Sequence, residues 1–325
     1  MASVSWALDA EALRELKSEY ERPDEIPYPS DNPYSEQKAQ LGKMLFFDPR
    51  LSASGSQSCA TCHNPSFHWV DGLPQSVGHE HKKLARKSQA LLNLAWDELF
   101  FWDGRAKSLE EQVIQPIESV EEMGMDMLQL LQTLQSIPGY QSAFAQAFPD
   151  QQPAMSKDTM AKALATYVRS IVSGTAPFDR WIAGDDNAIS ETAKKGFELF
   201  NGKANCSACH AEWNFSDGSF HDIGLKTDDP GRARILPNVS SMQHAFKTVG
   251  LRNIAERAPY MHNGSLATLA DVVAHYNNGF IQRESLSVEI EPLNLSRQEQ
   301  HALVAFLETL TSQDAPVSLP VLPRK

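Results

Sequence analysis

Two stretches of this chain set a pair of cysteines three residues apart and follow the second with a histidine. They are Cys59, Cys62 and His63 in GSQSCATCHNPSF, and Cys206, Cys209 and His210 in NGKANCSACHAEW. Thiols at that spacing share one turn and can add to the two vinyl groups of a haem, while the adjacent imidazole reaches the iron as proximal ligand. The product is a covalent haem c at each motif. Four such cysteines could instead form a zinc cage, but zinc does not require a histidine after each pair. A thioredoxin-like redox pair would sit in a βαβ pattern, and none surrounds either motif. No cysteine lies outside the two motifs, so none is left for a disulfide. The sixth position of each iron then decides whether that haem moves electrons or does chemistry.

The likeness of the two copies extends to the elements that must position them. SEQKAQLGKMLFFD precedes the first motif and SETAKKGFELFNG the second, with Gly42, Leu45 and Phe46 matching Gly196, Leu199 and Phe200. Ser-Glu ahead of an apolar-periodic run predicts a capped amphipathic helix in both places. Each half also ends in an apolar-periodic helix, at 157–174 and at 296–312, expected to pack on the earlier helix over the prosthetic group. The copies lie too far apart for a solenoid repeat and read as two related domains, an N-terminal one over 20–176 and a C-terminal one over 177–325. The break is expected in SGTAPFDRWIAGDDNAI, 173–189, where Gly, Pro and Asp interrupt helical periodicity. Segments 23–35 and 213–245 are rich in Pro, Asp, Gly and Ser without strand alternation. The expected fold is therefore mainly α, two helical domains with one covalent c-type haem each and long loops.

Composition narrows the partners. The chain has 325 residues, 42% of them hydrophobic, enough for two real cores. With 41 acidic against 29 basic residues the formal net charge is −12, which gives nucleic acid or an anionic membrane no electrostatic footprint. A basic protein suits it better. No run of 18 apolar residues suggests membrane insertion, and the first residues lack a signal-peptide layout. Because c-type haem is attached outside the cytoplasm in bacteria, we expect a periplasmic protein whose signal segment has been removed.

Between the motifs runs LLNLAWDELFFWDGRAKSLEEQVIQPIESVEEMGM, 91–125, and after the second comes LRNIAERAPYMHNGS, 251–265. Together with the repeat, FWDGRAKSLEEQ and the later stretch resemble the bacterial di-haem cytochrome c peroxidase family, which includes the MauG-type oxidases. The resemblance covers about residues 35 to 312. It implies two cytochrome c-like domains, a peroxidatic haem at His63, and an electron-transfer haem at His210. It also carries the family's distal-pocket Glu onto Glu122 and its Gln onto Gln112. A carboxylate in an apolar pocket suits the proton shift that O–O cleavage needs. Without the family, Glu122 reads as one acid of the run Glu118, Glu121, Glu122 on a solvated face. Trp102 matches the family's Trp between the haems, where an indole can pass electrons; beside Phe100 and Phe101 it also reads as core.

For the second iron's sixth ligand the chain offers Met242, His244, Met261, His262, His275 and Tyr276, which spacing alone cannot rank. The resemblance points to Tyr276, because DVVAHYNNG corresponds to the element that supplies Met in ordinary di-haem peroxidases and Tyr in the MauG type. A hard oxygen ligand stabilises oxidised iron, so both equivalents of hydrogen peroxide could be stored as a high-valent di-haem state. Implied partners are hydrogen peroxide and either a protein substrate, oxidised at a Trp, or an electron-donor protein. In the ordinary branch the enzyme would reduce peroxide with electrons from a small cytochrome c or a cupredoxin. SVGHEHKKLARKSQALLN bears on that choice: His79 falls where ordinary peroxidases place a loop His on the resting peroxidatic haem, though as a residue of a Lys-rich loop it reads first as a surface His. The family's calcium between the haems is also open. Its Asn ligand is replaced by Lys87, whose ammonium cannot coordinate a cation, leaving backbone carbonyls at 248–250 and Asn93 as donors. Trp6, Trp69, Trp96, Trp181 and Trp213 read mostly as core, any exposed one being a port for electrons.

Overall fold

The computed structural model describes residues 9–324, so Trp6 lies outside the described residues. The chain forms two compact units, one around each C-x-x-C-H motif. The first motif's unit comprises Glu25–Phe101, Arg105–Val172 and the segment from Ala315 onward. The second motif's unit comprises the segment ending at Asp24, Trp102–Gly104 and Ser173–Asp314. This differs from two consecutive stretches divided at 176. The helix Ala10–Ser18 and the tripeptide from Trp102 go with the second motif, and the tail goes with the first. Such assignments depend on long-range contacts that no local pattern encodes.

In the first unit the helix Glu36–Phe46 starts where the Ser35 hydroxyl accepts the Lys38 N–H. It packs along the helix Lys157–Arg169, capped reciprocally by Ser156 and Thr159. The second unit repeats the pair with the helix Glu191–Asn201, capped by Ser190, against the helix Arg297–Glu308, capped by Ser296 and Glu299. The matched glycines explain the closeness of both pairs. A Cβ on Gly42 would lie 2.0 Å from the Ala163 carbonyl oxygen, and one on Gly196 would lie 2.0 Å from that of Ala302. Only glycine lets the backbones touch there. Both later helices end earlier than their periodicity predicts, because the chain tightens into i→i+3 bonds, Ile171 N–H to Val168 and Thr309 N–H to Phe306.

Each unit has its own core. Leu41, Leu45, Phe46, Tyr140, Phe144 and Leu164 anchor the first. Tyr20, Phe178, Trp181, Phe197, Phe215 and Phe306 form an aromatic core in the second, with neighbouring centroids 4.9 to 6.1 Å apart. Within 173–189 the chain folds into the helix Pro177–Ile182, which buries Phe178 and Trp181. Asp179 on that helix meets Arg252 at 2.6 Å and Arg22 at 3.6 Å. Inside 213–245 the sequence gives no strand signal, yet Phe220–His221 pairs antiparallel with Phe246–Lys247. No helix among the described residues is long and apolar enough to cross a membrane.

Candidate active site

Each motif forms a tight turn ending in a half-buried histidine. Cys59–Cys62 is one helical turn, and the Thr61 hydroxyl accepts the Ser58 N–H. Cys206–Ala208 is a 3₁₀ turn entered through Asn205 at φ 49°. In both, the histidine N–H donates back to the first cysteine's carbonyl at 2.9 Å, so the local path is the same. His63 Nδ1 lies 3.3 Å from the Trp69 carbonyl oxygen and His210 Nδ1 lies 2.8 Å from that of Phe215. An Nδ1–H donated there selects the tautomer whose Nε2 carries the lone pair a metal needs; the His63 ring also has the Gln89 backbone as a partner. Burial lowers the pKa of both imidazoles, favouring the neutral form a metal needs. Trp69 and Phe215 both adopt left-handed backbone, φ 66° and 56°, which bulky residues rarely do. Sequence reasoning missed these two carbonyls, although an aromatic five or six residues past each histidine is the visible trace.

The four thiols do not converge on a zinc cage. Cys59 packs on the first core and Cys206 on the second. Among the described residues the one cluster of three metal-ligating side chains is Cys209, Asp217 and His221. Burial pushes the Cys59, Cys62 and Cys206 thiols up to about 12, so they are neutral.

Around His210 lies a cavity of about 210 Å³ with almost wholly apolar walls, including Phe200, Leu251, Leu269, Val273 and Leu303. Cys206, Cys209 and His210 open onto it, as do Trp102, Met261, His262 and Tyr276. Of the six sixth-ligand candidates, Met242, His244 and His275 are not in its wall. His275 Nε2 bonds the Ile223 carbonyl at 2.9 Å, and His244 Nδ1 bonds that of Asp229 at 2.8 Å. His262 stacks on Phe246 at 3.6 Å, its Nε2 3.2 Å from the Thr227 hydroxyl. Tyr276 sits in the π-helical turn His275–Gly279 that follows the helix Leu269–Ala274. Its phenol is held protonated by burial, with both Cys206 and Cys209 close enough to add to the effect. Turns of this kind inside helices recur at functional sites.

The polar rim carries His221, Lys247, Glu289 and Glu291. The Asp217 carboxylate, 2.8 Å from His221 Nε2, raises that imidazole to about 10, a fixed cation suited to a haem propionate. Apolar walls, paired thiols, an imidazole with a free Nε2 and a rim cation together fit a haem. Trp102 belongs to this wall. Its ring meets His262 edge-on at 6.3 Å and its carbonyl accepts the Lys247 N–H at 2.8 Å.

Near the first motif, Glu122 lies on a loop pinned by bonds from its own N–H and that of Gly124 to the Ser119 carbonyl. Burial raises its pKa, Arg105 opposing, and its charge bears on both Cys59 and Cys62. Gln112 ends the short helix Leu109–Gln112 and is half-buried. Arg105 stacks on Phe101 at 3.4 Å and donates to Gln115 at 3.1 Å, two neighbours that sequence reasoning passed over. His79 is half-buried and packs on the Glu122 loop. Its N–H donates to Glu121, a Cβ on Gly124 would lie 2.9 Å from its ring, and its buried Nδ1 has no partner. Of the other described tryptophans, Trp69 and Trp181 are buried and Trp96 and Trp213 half-buried.

Residues 36–187 match the family model described as di-haem cytochrome c peroxidase, and 193–311 match cytochrome c. The chain is 50% identical to the methylamine utilization protein MauG of Methylorubrum extorquens, over 96% of this chain and 88% of that protein. It is 37% identical to the cytochrome c551 peroxidase of Pseudomonas aeruginosa, over 93% and 86%. Among solved structures, a MauG-like protein associated with microbial copper homeostasis superposes with a TM-score of 0.83. It is 29% identical, with 90% of this chain and 95% of that one covered.

Proposed function

Since the chain belongs to the di-haem cytochrome c peroxidase family, as a haem oxidoreductase with two cytochrome c-like domains, we propose that it is a MauG-like periplasmic oxidase. It takes two oxidising equivalents from hydrogen peroxide, which becomes two waters, and draws the two electrons from a Trp of a partner protein by long-range transfer. Cys59, Cys62 and His63 hold one haem c, and Cys206, Cys209 and His210 the other. When bound, the haems supply peroxide reduction at the first iron and storage of oxidising equivalents across both.

The remaining roles fall to side chains. Glu122, aided by Gln112, carries a proton from one peroxide oxygen to the other, a task suited to a carboxyl withdrawn from water. Arg105 tempers that withdrawal. Tyr276 would hold the second iron through its phenolic oxygen, giving up there the proton that burial otherwise retains. Trp102, in the wall of the same cavity, relays electrons to it. The observation that carries this reading is Tyr276 facing the cavity of His210 with both motif sulfurs nearby. Replacement Tyr276→Met in the holoprotein should preserve both haems yet abolish peroxide-driven oxidation of the partner and change the spectrum after peroxide. An unchanged spectrum and undiminished partner oxidation would overturn it.

His79 supports a second reading, an ordinary peroxidase drawing electrons from a small cytochrome c or a cupredoxin. Its Nδ1, buried on the Glu122 loop, has no hydrogen-bond partner, which leaves a ring nitrogen available to an iron. Steady turnover with reduced cytochrome c, appearing only after one-electron activation and independent of that activation in His79→Ala, would establish this branch.

A further inference from the structure

What aims Tyr276 into the cavity is not its own hydroxyl, which has no hydrogen-bond partner among the described residues. Its direction is set by the backbone of the turn His275–Gly279, and both of its chain neighbours are tied down. On one side the His275 ring, 7% exposed, donates from Nε2 to the Ile223 carbonyl at 2.9 Å. On the other, the Asn277 side chain meets the Leu295 backbone twice. Its Oδ1 accepts the Leu295 N–H at 2.8 Å, and its amide donates to the Leu295 carbonyl at 3.4 Å. The Leu293 N–H adds a bond to the Asn277 carbonyl at 3.1 Å.

Neither anchor is loose. Beside Ile223, the fully buried Asp222 carboxylate holds the Arg283 guanidinium, the Ser285 hydroxyl at 2.6 Å and the Gly224 N–H at 2.9 Å. Leu295 belongs to the second core, and its carbonyl also accepts the Gln300 amide at 3.0 Å. All of these residues lie within the second motif's unit. Hydrogen bonds behind a metal ligand fix its orientation, and their loss is felt at the metal. They matter here because Met261 and His262 open onto the same cavity, carrying a sulfur and an imidazole that iron also accepts.

We propose that His275 and Asn277 are the positioning residues of Tyr276, clamping its turn from both sides so that the phenol, rather than Met261 or His262, is presented to the second haem. The inference rests on the oxidase reading, which gives Tyr276 to the second iron, and the two can fail separately.

The resting spectrum and the reduction potential of the second haem in purified holoprotein tell them apart. A Tyr276→Met spectrum identical to the parent's would remove Tyr276 from the iron and this proposal with it. Where that spectrum does change, His275→Leu and Asn277→Ala decide. Each should lose part of the parent's ferric bands to sulfur or second-imidazole ligation and shift the second haem to higher potential, while the first haem's bands hold. His275→Gln can still donate to the Ile223 carbonyl and Asn277→Asp can still accept the Leu295 N–H, so both should keep the parent's spectrum. Parental bands and potential in either His275→Leu or Asn277→Ala would overturn the proposal, as would a loss that His275→Gln and Asn277→Asp share. If one severed variant takes up no haem the other decides. Failure of both to take it up would also overturn the proposal, by making these contacts a requirement of folding rather than of ligand choice.

Discussion

Glu122 and Tyr276 owe their character to one cause, withdrawal from water, which makes each hold its proton more tightly than usual. For Glu122 the sign is definite. With its folded pKa above the unfolded value near 4.3, its contribution to stability is complete at low pH and is lost as pH rises through the folded value. Activity runs the other way, because the carboxylate must accept a proton before returning it. Peroxide turnover should therefore climb along an acid limb lying above the ordinary Glu range. Glu122→Gln should lower turnover about 10²–10⁴-fold and erase that limb, as a stopped-flow pH series would record. A limb persisting in the variant would remove Glu122 from the proton path. Arg105→Leu should move the limb to higher pH, since the guanidinium is what opposes burial.

Gly42 and Gly196 put a different demand on the helices they belong to. Neither has positive φ; each is needed because another backbone lies where a Cβ would go. Gly42→Ala and Gly196→Ala should each cost about 1–3 kcal/mol in denaturant unfolding of the holoprotein, with the haem spectrum of the affected unit broadening first. The glycine match, the Ser-Glu caps and the apolar period of these helices were legible in the sequence because they are local, as were the C-x-x-C-H turns. The helix Pro177–Ile182 was not, because Gly, Pro and Asp around it imitate a linker while its two aromatics are buried by distant partners. Nor was the π-helical turn carrying Tyr276, since an added residue in a turn leaves no compositional mark. Trp69 and Phe215 orient the histidines through backbone carbonyls, and a carbonyl is invisible in residue identity.

Taken whole, the molecule combines an acidic surface balance with two units that share the chain out of order. A net charge of −12 should steer a partner that presents a cationic face, so association with it should slow as ionic strength rises. The tail offers a sharper test. Val317 packs on the first core, Pro323 covers Gly139, and Arg50 donates to the Pro323 carbonyl at 3.0 Å. Removing the residues after Asp314 should destabilise the first haem's unit, far back along the chain, while the second haem's spectrum holds. A polypeptide extruded with its amino end leading therefore cannot seal either compartment until its last segments emerge: one waits for a tail, the other for residues up to 314 to return to its leading helix. The sulfurs of each cysteine turn should then stay open to porphyrin until that closure.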